Sequence, residues 1–131
     1  MNTELLKWAL DGQKNSYAPY SGKHIGAAVL MDNGKIYSGC NVENASYGGT
    51  ICAERTAIVK AVSDGAKKIK EVMVVSSEQN PWPPCGFCRQ VIAEFASPDT
   101  MIHLANPQGQ SRSLKFVDLF PEAFGPAHLK P

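Results

Sequence analysis

The order of apolar and polar positions along the chain predicts helices that alternate with short strands. Apolar residues recur at helical spacing between Leu5 and Leu10, which predicts a helix over residues 2–14. The apolar run IGAAVLM, the turn DNG and the segment KIYSGCNV predict a β-hairpin, because the pair Asn33-Gly34 suits a tight turn.

The second half of the chain repeats a helix–strand order. The segment CAERTAIVKAVSDG predicts a helix, KEVMVVSS a buried strand, CGFCRQVIAEFA a helix that ends before Pro98, and MIHLAN another strand. SRSLKF predicts an edge strand, and VDLFPEAFGP predicts a short helix with an irregular tail. We therefore expect an α/β fold, a three-layer α-β-α sandwich around a mixed sheet of about five strands, with a parallel strand–helix–strand crossover.

Length and composition narrow the class of protein. With 131 residues, the chain is expected to form one domain over residues 1–131. The net charge of +1 and the lack of any Lys or Arg run argue against nucleic acid as a partner. We expect no signal peptide and no membrane span, since no apolar run approaches about 20 residues. A cytoplasmic location follows, in which the four cysteines stay reduced.

Two of these cysteines, Cys85 and Cys88, lie three residues apart in PPCGFC and therefore on one face of the predicted helix. Pro84 is predicted to occupy the first helical position, where a missing N–H costs nothing. A helix N-terminus stabilises thiolates through its free N–H groups and its dipole. The pair alone fits a redox site, a structural zinc site or a catalytic zinc site.

Cys52 begins the other predicted helix and is expected to join Cys85 and Cys88 around one metal ion. Three thiolates in a reduced protein indicate zinc, and they leave one of its four positions open, as in catalytic sites. Cys40 lies in a predicted strand and is expected to be buried without binding metal. A closed structural site with all four cysteines is the alternative, and it would suit a zinc-stabilised binding module.

Glu54 follows Cys52 by two residues and is predicted to act as a general base and then a general acid. Its alternative role is that of a solvated residue at a helix start. The order CAE and then PCGFC matches the pattern of zinc deaminases, in which a ligand and a Glu precede P-C-x-x-C. Arg55 is expected to donate hydrogen bonds to the sulfurs and offset their charge, and Arg89 is a weaker candidate for that role.

Over nearly its whole length the chain resembles the small, homotetrameric, zinc-dependent cytidine deaminases. The matching motifs are YAPYS, IGAAV, GCNVENASYG, CAERTA, PCGFCRQV and LFPEAFGP. The resemblance implies one zinc ion per subunit and hydrolysis of cytidine and 2′-deoxycytidine to uridine and 2′-deoxyuridine, with release of ammonia, in pyrimidine salvage. Water activated by the metal would attack C4 of the base, while Glu54 would move protons to N3 and to the departing amine.

The same resemblance implies the substrate contacts. Asn41 and Glu43 match a ribose-binding pair, and alternate positions of a strand do face the same way. Without the resemblance, these two would be interpreted as ordinary loop residues. The backbone of Ala53 matches a position that contacts the base.

Three further residues match positions that act between subunits. Ala45 and Tyr47 correspond to residues that reach into a neighbouring subunit's site, and Phe124 corresponds to an aromatic residue that covers the base from another subunit. These roles depend on a homotetramer with shared sites.

One position departs from the family pattern S-x-F-x-V-G. The chain reads SGKHIG, so Lys23 stands where the family commonly has a Phe that packs at the substrate. His24, beside it, is expected to be a satisfied histidine and not a metal ligand. The loss of this aromatic residue suggests an alternative activity, deamination of a modified cytosine nucleoside or of a blasticidin-S-like compound.

Overall fold

The computed structural model describes residues 2–130 and confirms the predicted order of elements. The helices are α1 (Thr3–Gln13), α2 (Ala53–Ser63), α3 (Gly86–Phe95), α4 (Phe116–Leu119) and α5 (Pro126–Leu129), with a 3₁₀ turn at Tyr47–Gly49. The strands are β1 (Ile25–Met31), β2 (Ile36–Cys40), β3 (Ile69–Ser76), β4 (Ala96–Ala105) and β5 (Ser111–Lys115). Within residues 2–130, no helix combines the length and the apolar character that crossing a membrane requires.

The five strands form one mixed sheet in the order β2-β1-β3-β4-β5. The β1–β2 hairpin is antiparallel, as is the pairing of β1 with β3. The crossover from β3 through α3 to β4 is parallel, as predicted, and β5 closes the edge antiparallel to β4. The predicted mixed sheet is therefore confirmed.

Helices cover both faces of the sheet and complete the three-layer α-β-α sandwich. On one face α2 and α3 bury a core that includes Ile58, Val72 and Ile92. On the other face α1 packs Leu5 and Ala9 against a smaller core. From Val72 onward β3 is buried on both faces, which explains why VMVV is a continuous apolar run without alternation.

Two segments differ from the predicted bounds. β4 begins at Ala96, directly after α3, and is longer than the apolar run MIHLAN. Its polar first half is held by tertiary contacts, since the Thr100 hydroxyl donates to the Ile69 carbonyl over 2.7 Å. The expected irregular tail contains a second short helix, α5, which begins at Pro126, where a fixed φ suits the first helical position.

The separation between helices and sheet depends on glycines. A Cβ at Gly39 in β2 would lie 2.7 Å from the Ala57 nitrogen and 2.8 Å from the Ala53 oxygen, both on the backbone of α2. A Cβ at Gly26 in β1 would overlap the Ala9 carbonyl oxygen of α1. Because Gly39 faces the first turn of α2, it also determines how closely the N-terminus of that helix approaches β2.

We expect Gly39→Ala to lower the free energy of unfolding by about 1–3 kcal/mol, because the added methyl group must push α2 away from β2. Gly48→Ala is the control, since a Cβ there meets open space and φ is not positive. Urea unfolding followed by circular dichroism measures both values. An equal, small effect of the two substitutions would contradict this account of helix placement.

Candidate metal centre

The N-termini of α2 and α3 meet and bring three cysteines together. Cys52 is the N-cap of α2, Cys85 is the N-cap of α3, and Cys88 lies in the first turn of α3. Neither N-cap thiol forms a capping hydrogen bond, so both are free to face a ligand. The positive ends of two helix dipoles therefore point at the cluster, where they stabilise thiolates.

The spacing of the sulfurs fits a zinc ion. The three Sγ atoms all lie within 4.8 Å of one another, and the Sγ atoms of Cys52 and Cys85 are 3.7 Å apart. A tetrahedral ion with bonds of about 2.3 Å requires sulfur separations of about 3.8 Å. Thiolates are soft donors that select zinc, and a set of three leaves one position for water or substrate. The third thiol is also what a two-cysteine redox motif lacks.

The surroundings of the cluster shift the pKa values of two of its thiols in opposite directions. A hydrogen bond from the Cys88 thiol, assisted by another from Arg55, lowers the pKa of Cys52 to about 5. The same Cys52–Cys88 hydrogen bond and burial raise the pKa of Cys88. Metal binding needs deprotonated cysteines, and the lowered pKa of Cys52 favours its thiolate form.

Cys40 lies apart from this cluster, at the end of β2. Its thiol is partly buried, and that burial raises its pKa. Among residues 2–130, Cys52, Cys85 and Cys88 form the one group of three metal-ligating side chains close enough to share an ion. This placement favours the open, three-cysteine site over the closed alternative.

The prolines before the cluster act differently from the prediction. α3 begins at Gly86 with Cys85 as its cap, so Pro84 precedes the cap and is not the first helical residue. The Cys85 carbonyl accepts the Arg89 N–H over 2.9 Å, which makes Cys85 itself the start of the helical hydrogen bonds. Arg89 in turn donates from Nε to the Pro84 carbonyl over 2.8 Å and from Nη1 to the Leu119 carbonyl over 3.0 Å. Arg89 thus secures the segment before α3, and its hydrogen bonds go to carbonyls and not to sulfurs.

Glu54 lies in a cavity beside the cysteines. This cavity of about 190 Å³ has a mostly apolar lining, formed by Ile25, Cys52, Glu54, Val74, Trp82, Pro83 and Cys85. The Glu54 side chain is only 4% exposed, and burial raises its pKa to about 7. A carboxyl group with that pKa can both accept and return a proton near neutrality. The alternative of a solvated helix-start residue does not fit this burial.

The Arg55 side chain lies beside the Cys52 thiol. Its Nη2 atom is 3.5 Å from the Cys52 Sγ and 3.5 Å from the Thr50 carbonyl oxygen, so it donates toward both. A guanidinium at this position offsets the charge that three thiolates bring to the cluster.

Asn41 and Glu43 hold the loop at one end of the cavity. They lie beyond the end of β2, on either side of Val42, which bridges to Tyr17 and Ile51. β2 ends at Cys40, so Asn41 lies one residue and Glu43 three residues beyond the strand that was expected to carry them. The two residues still flank an extended position. Both side chains contact the segment from residue 16 to residue 25, which we call the rim loop.

Each of the two side chains contacts the backbone of the rim loop. Asn41 accepts the Ile25 N–H over 2.9 Å and donates to the Lys23 carbonyl over 2.7 Å. Glu43 accepts the N–H groups of Tyr20 and Ser21, over 2.9 and 3.1 Å. The Ser21 hydroxyl, followed by these backbone groups, lowers the pKa of Glu43, which therefore stays ionised.

Lys23 lies in the rim loop and is not part of the cavity lining. Its Nζ atom is 2.9 Å from the Glu78 Oε1 atom, and both side chains are partly exposed. This ion pair joins the rim loop to the segment that follows β3. The ring of His24 contacts the Ser16 hydroxyl over 3.0 Å, outside the cysteine cluster, as expected for a satisfied histidine.

The residues expected to act between subunits are exposed in the single chain. Tyr47 is 77% exposed and packs edge-on against Tyr20, while Phe124 is 55% exposed and stacks on His128. Ala45 is also exposed, whereas Ala53 is fully buried at the start of α2.

Trp82 is a cavity residue that the sequence analysis missed. Its one signal in the sequence was its place in NPWPP, three residues before Cys85.

We expect the Cys40→Ser protein to keep one zinc ion per chain and the Cys52→Ser protein to lose it. The reason is that Cys52 belongs to the sulfur cluster and Cys40 does not. Metal content after gel filtration, measured by mass spectrometry, checks both variants. Loss of zinc from the Cys40→Ser protein would indicate a closed, four-cysteine site.

Comparisons with known proteins agree with this geometry. The family model described as the cytidine and deoxycytidylate deaminase zinc-binding region matches residues 1–104. The cytidine deaminase of Halalkalibacterium halodurans is 46% identical over 120 residues, which cover 92% of this chain and 91% of that protein. That of Sporosarcina psychrophila is 44% identical, covering 92% of this chain and 89% of its own.

A solved structure shows the same fold. The crystal structure of cytidine deaminase from Burkholderia pseudomallei superposes with a TM-score of 0.89 at 41% identity, and the match covers 95% of this chain and 99% of that one. Sequence and structure agree over almost the entire length, and the matched region contains all three clustered cysteines and Glu54. The chain therefore belongs to the cytidine and deoxycytidylate deaminase family.

Proposed function

We propose that the protein is a zinc-dependent cytidine deaminase, which hydrolyses cytidine and 2′-deoxycytidine to uridine and 2′-deoxyuridine and releases ammonia. The observation that carries this proposal is the buried Glu54 carboxyl, which lines the same cavity as Cys52 and Cys85 of the three-thiol centre. A metal centre with an open position next to a proton-transferring carboxyl is what hydrolytic deamination needs.

The chain divides the chemistry among a few residues. Zinc held by Cys52, Cys85 and Cys88 would supply a Lewis acid that makes water a better nucleophile near neutral pH. Glu54 takes a proton from the water that attacks C4 of the base and passes protons to N3 and to the departing amine. Its pKa of about 7 suits both directions of transfer. The mostly apolar lining lowers the polarity around the buried Glu54 carboxyl, which strengthens these electrostatic interactions.

Substrate binding is proposed to involve the backbone at the start of α2 and side chains in and beside the rim loop. The backbone of Ala53, at the start of α2, is proposed to contact the base, since the first N–H groups of a helix lack partners within it. Asn41 and Glu43 are proposed to bind the sugar hydroxyls, and Lys23 is proposed to border the substrate at the rim. Because Lys23 lies outside the cavity lining, it gives no reason to prefer a modified nucleoside.

We propose a homotetramer in which sites are shared between subunits. The exposure of Tyr47 and Phe124 supports this assembly, because large exposed aromatic side chains are typical of interfaces. Ala45, Tyr47 and Phe124 would then complete a neighbour's site. We also propose that the enzyme works in pyrimidine salvage in the cytoplasm, where thiols stay reduced and able to hold zinc.

We expect the zinc-loaded protein to convert cytidine to uridine, and Glu54→Gln to lower turnover by about 10²–10⁴-fold while zinc and fold are kept. The loss of cytidine absorbance in the ultraviolet measures the rate, and metal analysis measures zinc. Glu4→Gln, an exposed substitution in α1, is the control and should leave the rate unchanged. Near-normal turnover of the Glu54→Gln protein would refute the role of Glu54, and absence of uridine from the zinc-loaded parent would refute the proposed function.

Shared sites predict complementation between two inactive proteins. Phe124→Ala and Glu54→Gln should each be poorly active alone, because each defect is repeated in every site. When the two are unfolded together and refolded as a mixture, some sites should combine an intact Glu54 with an intact Phe124 of another subunit. We therefore expect activity above the sum of the separately refolded proteins, measured at equal chain concentration. Purely additive activity would show that Phe124 acts within its own chain or not at all.

A further inference from the structure

Phe87 is an exposed aromatic residue between two metal-ligating positions, Cys85 and Cys88. Its side chain is 73% exposed, and it belongs to neither hydrophobic core. Core packing therefore does not explain it. Its one aromatic or cationic contact among the described residues is with Arg55, whose Cζ atom lies 5.2 Å from the ring centroid. That distance is within the range of a cation–π interaction.

The contact links the two helices that carry the cysteines. Phe87 lies in the first turn of α3, and Arg55 lies in the first turn of α2. The same guanidinium approaches the Cys52 Sγ through Nη2. Phe87, Arg55 and Cys52 thus form a chain of contacts from one ligand-bearing helix to a sulfur on the other.

Arg55 has few other restraints. Its two hydrogen bonds, to the Cys52 Sγ and the Thr50 carbonyl, are both 3.5 Å long, and its Nε atom is buried without a partner. A long arginine side chain loses much rotamer freedom when it is held in one place. The face of the Phe87 ring therefore adds a third contact that restrains the guanidinium beside the sulfur.

We propose that Phe87 is a positioning residue of the metal centre: its ring holds the Arg55 guanidinium against Cys52 and so slows the loss of zinc. Three thiolates around a divalent ion leave a net negative charge, which a fixed cation at hydrogen-bonding distance from one sulfur offsets. When the cation can turn away into water, that compensation is lost for part of the time. The proposal rests on the zinc site and does not depend on which nucleoside the enzyme deaminates.

The test compares zinc release from Phe87→Leu, Phe87→Trp and the parent protein. Leucine keeps an apolar side chain but has no π face, and tryptophan offers the strongest one. With excess chromogenic chelator, we expect Phe87→Leu to release zinc about two- to fivefold faster than the parent, the range of a cation–π contact at an exposed site. Phe87→Trp should release zinc at the parent rate or more slowly.

A double-mutant cycle with Arg55→Met separates this role from simple packing. In the Arg55→Met protein no cation is present, so adding Phe87→Leu should not accelerate zinc release further. The Co²⁺-substituted proteins give a second measurement, because the sulfur-to-cobalt absorption bands should shift in Phe87→Leu and return in Phe87→Trp. Circular dichroism checks that each variant is folded.

Two results would overturn the proposal. One is zinc release from Phe87→Leu at the parent rate. The other is an equal acceleration by Phe87→Leu with and without Arg55, which would assign Phe87 a packing role independent of the guanidinium. Both measurements use metal release and not deamination, so neither is affected if cytidine proves to be the wrong substrate.

Discussion

The convergence of two helix N-termini is the constraint on which the rest of this structure depends. A zinc ion needs three thiols within about 4 Å of one another, and the chain supplies them from two helices separated by a strand. This requires the first turn of α2 to lie close against β2, where Gly39 offers no side chain. It also requires the parallel β3–α3–β4 crossover to return α3 to the same face of the sheet. The order of elements and the glycines between the layers thus together bring the N-termini of α2 and α3 close to each other.

The same convergence determines the electrostatics of the cavity. Helix N-termini present unpaired N–H groups, and the cap positions that usually carry Ser, Thr, Asp or Asn are taken by Cys52 and Cys85. The helix dipoles therefore stabilise thiolates at these two positions, where most helices carry a hydroxyl, carboxylate or amide side chain. Glu54, in the first turn of α2, would be expected to ionise readily, yet burial outweighs the dipole and raises its pKa to about 7. Its ability to transfer protons therefore comes from the apolar residues that surround it.

Local patterns predicted the elements and the pairing of Cys85 with Cys88, because both are encoded over short distances, whereas Cys52 lies 33 residues before Cys85. The buried run of β3 and the spacing of Cys85 and Cys88 can be recognised in fewer than ten residues. Long-range contacts could not be predicted in this way. The early start of β4 depends on a hydrogen bond between Thr100 and Ile69, which lie 31 residues apart. The place of Trp82 in the cavity wall and the pairing of Lys23 with Glu78 likewise depend on how distant loops pack.

The rim loop is held mainly through its backbone around Lys23. Asn41 holds this position through the Lys23 backbone carbonyl, and Glu43 holds the preceding turn through backbone N–H groups. The rim loop contributes only backbone groups to these hydrogen bonds, so they do not depend on which side chain stands at position 23. The side chain at position 23 makes no contribution to these backbone hydrogen bonds. Its partner Glu78 adds a partly exposed ion pair, which stabilises the loop only weakly because water and salt screen it. The backbone contacts, and not this ion pair, fix the position of the loop beside the cavity.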